Sequence, residues 1–72
     1  MLYGQRYENL RLVLKDVRRR AGLTQIQLAG KLGKGQSYVS KMERGEQYVD
    51  AIELLEWCEA CGADSAEVVK RI

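Results

Sequence analysis

From Leu10 onward, apolar residues recur at the three- and four-residue intervals of an α-helix, and glycines interrupt the recurrence at intervals. Leu10, Val13, Leu14 and Val17 form one stripe that Ala21 extends, while Arg11, Lys15, Arg18 and Arg19 lie away from its centre. The spacing predicts a first helix over residues 6–21, closed at Gly22, because glycine enters the left-handed conformation of a helix end without steric penalty. Thr24 followed three residues later by Gln27 is a capping-box pattern. It opens a second helix over 25–32, with Leu28, Ala29 and Leu32 inward and Gly33 as its stop. Lys34 and Gly35 make the turn, Gly35 being a weak N-cap. A third helix over 36–44 turns Val39 and Met42 inward and ends at Gly45. Asp50 caps a fourth helix over 51–61, stopped by Gly62. Asp64, with Glu67 as its capping partner, opens a fifth over 65–71 carrying Val68, Val69 and Ile72. The expectation is a single all-α domain over residues 1–72, a compact bundle of five helices with no strand pattern.

The second and third helices are short and separated by a tight glycine-containing turn, which is the pattern of a helix-turn-helix. Small Ala29 permits a close crossing, and Val39 fastens the third helix from behind. Gln36, Ser37, Ser40 and Lys41 are left facing outward on a segment about 13 Å long. The major groove of B-DNA is about 12 Å wide and admits one helix. There, glutamine pairs with adenine, lysine donates to guanine, and serine serves several acceptors. Such residues also decorate any solvent-facing helix, so on their own they are equally a hydrated surface.

Charge sharpens the picture. The 72 residues carry a net +2, but residues 1–45 hold ten Lys or Arg against three Asp or Glu, a net of +7, and residues 46–72 hold two against seven, a net of −5. A basic front and an acidic back suit an anionic partner on one side; the alternative is a solvated surface with its charges in blocks. A chain of this size buries roughly 60% of its unfolded surface, so the core must be small. The lack of proline favours helix throughout. No apolar run approaches the roughly 20 residues of a membrane span, and the first residues, MLYGQRYENL, lack the apolar stretch of a signal peptide. A cytoplasmic location is therefore expected.

Cys58 and Cys61 spell Cys-x-x-Cys, but no His and no other Cys completes a zinc site. Glu56 and Glu59 oppose a reactive thiolate. Both thiols are expected as small apolar fillers on the inner face of the fourth helix, beside Leu54 and Trp57. No constellation for nucleophilic, acid–base or metal catalysis is present, so the chain is expected to be no enzyme, with no cofactor, no metal and no small-molecule ligand.

The stretch RRRAGLTQIQLAGKLGKGQSYVSKMERGE resembles the phage-repressor-type helix-turn-helix proteins, the Cro/C1-type or XRE family, through Gly-Leu-Thr-Gln, Leu-Ala, Leu-Gly, Gln-Ser, Val-Ser and Glu-Arg-Gly. The similarity continues through YVDAIELLEWCEACG and covers about residues 10–62. It implies a lambda-repressor-like five-helix domain that binds double-stranded DNA as a dimer on a near-palindromic operator. It further implies base contacts by Gln36, Ser37, Ser40 and Lys41, and phosphate contacts by Gln25, Tyr38 and Arg44. Arg18 and Glu43 fall where the family has a partly buried ion pair. The chain departs from the family at Gly35, where Ser or Thr is common, and after Gly45, where basic residues usually meet the DNA backbone. Here Glu46, Gln47 and Tyr48 follow, and of these Tyr48 can offer a hydroxyl to a phosphate.

The fourth helix has more apolar residues than one inner face needs. Ala51, Leu54, Cys58 and Cys61 make one stripe, with Ile52 and Leu55 beside it. Ile52, Leu55, Val69 and Ile72 are candidates for a homodimer surface; the alternative is that all pack into the small core. The function these features predict is a sequence-specific transcriptional regulator acting as a repressor. The rival is an interaction module, such as the antitoxin of a toxin–antitoxin pair, whose partner is a protein.

Overall fold

The computed structural model describes residues 4–72 as five helices: α1 (Gln5–Arg20), α2 (Gln25–Leu32), α3 (Gln36–Arg44), α4 (Ala51–Cys61) and α5 (Ser65–Lys70). The Thr24 hydroxyl accepts from the Gln27 amide, and the Gln27 side chain returns a bond to the Thr24 N–H. Asp50 and Glu53 repeat that box at the start of α4. At α5 the sequence expectation differs from the structure. Asp64 accepts from the Ala66 amide, but Glu67 pairs with Lys70 in place of returning to the cap. Gly35 caps α3 with no side-chain bond, as a residue without a side chain must.

Leu14, Leu28, Val39, Met42, Trp57 and Cys58 are the largest side chains shut away from water, with Val13, Val17, Ala29 and Val68 completing the core. Trp57 sits at its centre, and its indole N–H donates to the Leu14 carbonyl of α1 at 3.0 Å, which removes the one polar liability of a buried tryptophan. Leu32, Leu54 and Cys61 are half-buried against this centre. Ala21 and Ala51 were expected inward and are exposed. Ala21 lies past the last helical turn of α1, and Ala51 lies on the border of the α4 stripe, next to exposed Leu55. The C-terminus is tied back to α1, where Arg71 bonds Asp16 at 2.7 Å and the Ile72 carbonyl accepts from Asn9.

One ion pair lies inside. Arg18 is 8% exposed and Glu43 4%. Arg18 Nε meets Glu43 Oε2 at 2.6 Å, Nη2 meets Oε1 at 3.1 Å, and Nη1 donates to the Leu23 carbonyl at 2.7 Å. A second donor, Gln25 Nε2, reaches Glu43 Oε1 at 3.1 Å. No buried side-chain nitrogen or oxygen among the described residues lacks a partner. The pair joins α1 to the end of α3 and, through Leu23 and Gln25, to the start of α2.

Removing one partner strands the other charge out of water. Glu43→Gln or Arg18→Met should therefore lower the unfolding free energy by about 3–5 kcal/mol. The double replacement Arg18→Met with Glu43→Leu should cost much less than the sum of the two. Urea unfolding followed by circular dichroism checks this; additive losses would show that the two side chains do not act as a pair.

Candidate nucleic-acid interface

The face of α3 away from the core is built by its periodicity. At about 100° per residue, positions 36, 37, 40, 41 and 44 share an arc of about 140°. Gln36, Ser37, Lys41 and Arg44 are exposed there, and Ser40 is half-buried. Val39 and Met42 occupy the opposite side and Glu43 the flank beside Gln36, and all three are buried. The sequence-predicted base-reading residues are thus brought together on one surface.

Gln25, the first residue of α2, stands beside this surface. Its amide oxygen accepts from Gln36 Nε2 at 3.3 Å while its amide nitrogen donates to Glu43. The side chains of Gln25 and Gln36 therefore orient each other across the helix-turn-helix. The start of α2 also presents backbone N–H groups and the positive end of the helix dipole, which suit a phosphate.

Arg44 is engaged within the protein. Its Nε and Nη2 hold the two carboxylate oxygens of Glu46 at 2.5 and 3.3 Å, and its Nη1 donates to the Ser40 hydroxyl. The hydrogen bond from Arg44 holds the Glu46 carboxyl below the usual carboxylate range, and Glu46 in turn pushes the guanidinium pKa up. Lys41, on the same face, has no carboxylate within ion-pair distance among the described residues.

Tyr38 and Tyr48 have different partners. Tyr48 is 66% exposed on the segment after α3, its ring edge-to-face with Tyr7 of α1 at 5.2 Å between centroids. Tyr38, expected on a phosphate, gives its hydroxyl proton to Glu53 Oε2 at 3.1 Å and carries Lys34 over its ring. Burial first, then the hydrogen bond and charge of Glu53, push the phenol up to about 12, with Glu56 and Asp50 adding to the shift. The bond to Glu53 makes Tyr38 a tie between α3 and the start of α4.

The periodicity gave no sign of what Arg11 does. Arg11 Nη1 donates to the Glu43 carbonyl at 3.3 Å, meeting an unpaired C=O at the negative end of α3, while its Nε and Nη2 bind Glu8. Gly45, at φ 72°, turns the chain directly against it; a Cβ there would lie 3.2 Å from Arg11 Cδ. A basic residue one α1 turn from Glu8, facing a helix-ending glycine, is the only sequence signal this contact leaves.

An all-helical core, a glycine turn between α2 and α3, and a polar arc on α3 define a helix-turn-helix protein. The profile of the helix-turn-helix domain family matches residues 9–70, and the chain belongs to that family in its XRE-type branch. An XRE-family like protein from Pseudomonas syringae pv. tomato str. DC3000 is 40% identical, with 90% of this chain and 79% of that one covered at a TM-score of 0.85. The clp gene regulator ClgR from Corynebacterium glutamicum is 30% identical, with 96% and 90% covered and a TM-score of 0.85. The restriction-modification controller protein C.AhdI from Aeromonas hydrophila is 28% identical, with 90% and 98% covered and a TM-score of 0.80. No match was found among curated proteins. The protein is thus a DNA-binding regulator of XRE type. No helix of the described residues is long and apolar enough to cross a membrane.

The raised Tyr38 value sets a pH dependence. Above the ordinary tyrosine pKa of about 10, the unfolded chain has lost this proton while the folded chain keeps it, so stability is full below about 10 and falls as the pH rises through about 12. Chemical denaturation across that range should show the decline, and Tyr38→Phe should flatten it. An unchanged slope in the variant would show that the phenol is not the group responsible.

Proposed function

We propose that the chain binds double-stranded DNA as a homodimer, lays α3 in the major groove of each half of a near-palindromic operator, and represses transcription by occupying that site. The observation that carries this reading is the two-sidedness of α3: Gln36, Ser37 and Lys41 are exposed to water while Val39 and Met42 fix the helix from behind. In this reading Gln36, Ser37, Ser40 and Lys41 meet base edges, where one bidentate pair discriminates by about 1–3 kcal/mol. Gln25, the α2 amides, Arg44 and Tyr48 meet phosphates and set the register. Repression needs nothing beyond occupancy, because a dimer covering an operator excludes other proteins from it.

The dimer rests on apolar surface outside the core. Ile52 and Leu55 on α4 and Val69 on α5 are 62%, 42% and 53% exposed, with Ile72 half-buried beside the terminus. Two-fold pairing of this surface hides it from water and spaces the recognition helices about one turn of DNA, roughly 34–36 Å, apart. The relatives described as regulators support a role in transcription for this chain.

Selection of bound sites from random duplexes tests the reading face. Gln36→Ala and Lys41→Ala should each relax one or two operator positions by about 1–3 kcal/mol. Gln25→Ala should weaken all sequences, with some loosening at the position read by Gln36, its hydrogen-bond partner. An unchanged consensus in the first two variants removes the assigned reading face. Sedimentation tests the dimer: the wild type should self-associate, and Leu55→Asp should leave monomers that lose cooperative binding to paired half-sites. A wild-type monomer at high concentration and on DNA removes the two-fold arrangement.

A further inference from the structure

Arg44 stands on the reading arc of α3, about 40° round from Ser40 one turn earlier, so that the two side chains are neighbours. Its guanidinium presents two N–H groups along the Nε–Nη2 edge, the fork that matches a carboxylate or a phosphate. That edge is already taken by both oxygens of Glu46, and the remaining Nη1 is on the Ser40 hydroxyl. Glu46 follows Gly45 directly, and its backbone N–H closes α3 on the Lys41 carbonyl at 3.0 Å. The carboxylate is thereby delivered to Arg44 by the turn that ends the helix. The only other cation on α3, Lys41, has no such partner among the described residues.

We propose that Glu46 is an internal competitor for DNA phosphate: it occupies the fork of Arg44 in the free protein and must be displaced before Arg44 and Ser40 can serve the DNA. This rests on the DNA-binding reading above. A phosphate that takes the Nε–Nη2 edge leaves the Glu46 carboxylate unpaired beside the polyanion, where it draws in a cation. Glu46 therefore lowers affinity for every sequence and flattens the salt dependence. It also couples Ser40 to the backbone contact, because the guanidinium that moves toward phosphate releases the Ser40 hydroxyl for a base edge. Glu46 is a positioning residue in this scheme and touches no DNA itself.

The experiment is a double-mutant cycle with the full chain, read by fluorescence anisotropy on short labelled duplexes of mixed sequence over a salt series. Glu46→Gln should tighten binding about three- to fivefold for all duplexes, the range an exposed ion pair supports. It should also steepen the log–log salt slope by about one. In an Arg44→Gln background the same change should have almost no effect. Glu59→Gln, which removes an exposed charge of the same sign from α4, should leave binding nearly unchanged. Circular dichroism checks that each variant is folded. Tightening that persists without Arg44, or that Glu59→Gln reproduces, would make Glu46 a mere contributor to net charge and overturn the proposal. Unaltered affinity in Glu46→Gln does the same while leaving DNA binding intact. If the wild type binds no duplex at any salt concentration, the DNA-binding reading fails and the proposal with it.

Discussion

A guanidinium and a carboxylate, both almost wholly removed from water, hold the helix-turn-helix in its working shape. Dehydrating two charges is expensive, and their attraction offsets the expense only when the other hydrogen-bonding positions are also filled. Here they are filled by the Leu23 carbonyl and the Gln25 amide. That requirement makes the pair a constraint on three helices at once. Arg18 comes from α1, Glu43 from the end of α3, and the two auxiliary partners from the α1–α2 connection (Leu23) and the first residue of α2 (Gln25). A hydrophobic contact in the same place would tolerate sliding and rotation; a forked ion pair with two further bonds does not. The line continues to the surface through Gln25, whose other amide atom holds Gln36 on the outward face of α3. The orientation of an exposed side chain is thus set from the interior.

α3 is held at further points by contacts from outside the helix-turn-helix itself. Tyr38 is tied to Glu53, which at the same time closes the capping box of α4, so the start of α4 and the flank of α3 share one carboxylate. Arg11 meets the carbonyl end of α3. Acidic side chains in the second half of the chain therefore do more than lend it negative charge. Glu53 fixes a helix junction, Glu43 sits in the core, and Glu46 shadows a cation of the reading face.

Much of this was legible beforehand, for reasons that differ by element. Helix ends were legible because glycines and capping residues act locally; the Thr24–Gln27 box forms as its spacing predicts, and the glycines after α2, α3 and α4 adopt positive φ. The core side of α3 was legible because Val39 and Met42 are the only aliphatic residues on it. What escaped periodicity were contacts between residues far apart in sequence with no apolar signature. Arg11 on Glu43, Asp16 on Arg71 and Tyr38 on Glu53 look like ordinary surface polarity until the helices are packed. Ala21 and Ala51 misled because alanine carries little preference for either side, so a stripe extended through it ends one position too late or begins one too early. Exposed Leu12 and Ile26 also broke the pattern, since an apolar residue off the stripe leaves no clue to its exposure.

The arrangement of α3 separates what the molecule is from what it reads. Its inward positions are committed to packing and to the ion pair, and its far end to a glycine whose left-handed geometry strains any side chain and where a Cβ would press on Arg11. Ser37 and Lys41, by contrast, make no side-chain hydrogen bond to any described residue. Those outward positions can diverge without disturbing the scaffold; if they meet bases as proposed, a lineage carrying this chain acquires a new target site by a few surface replacements while its architecture stays the same.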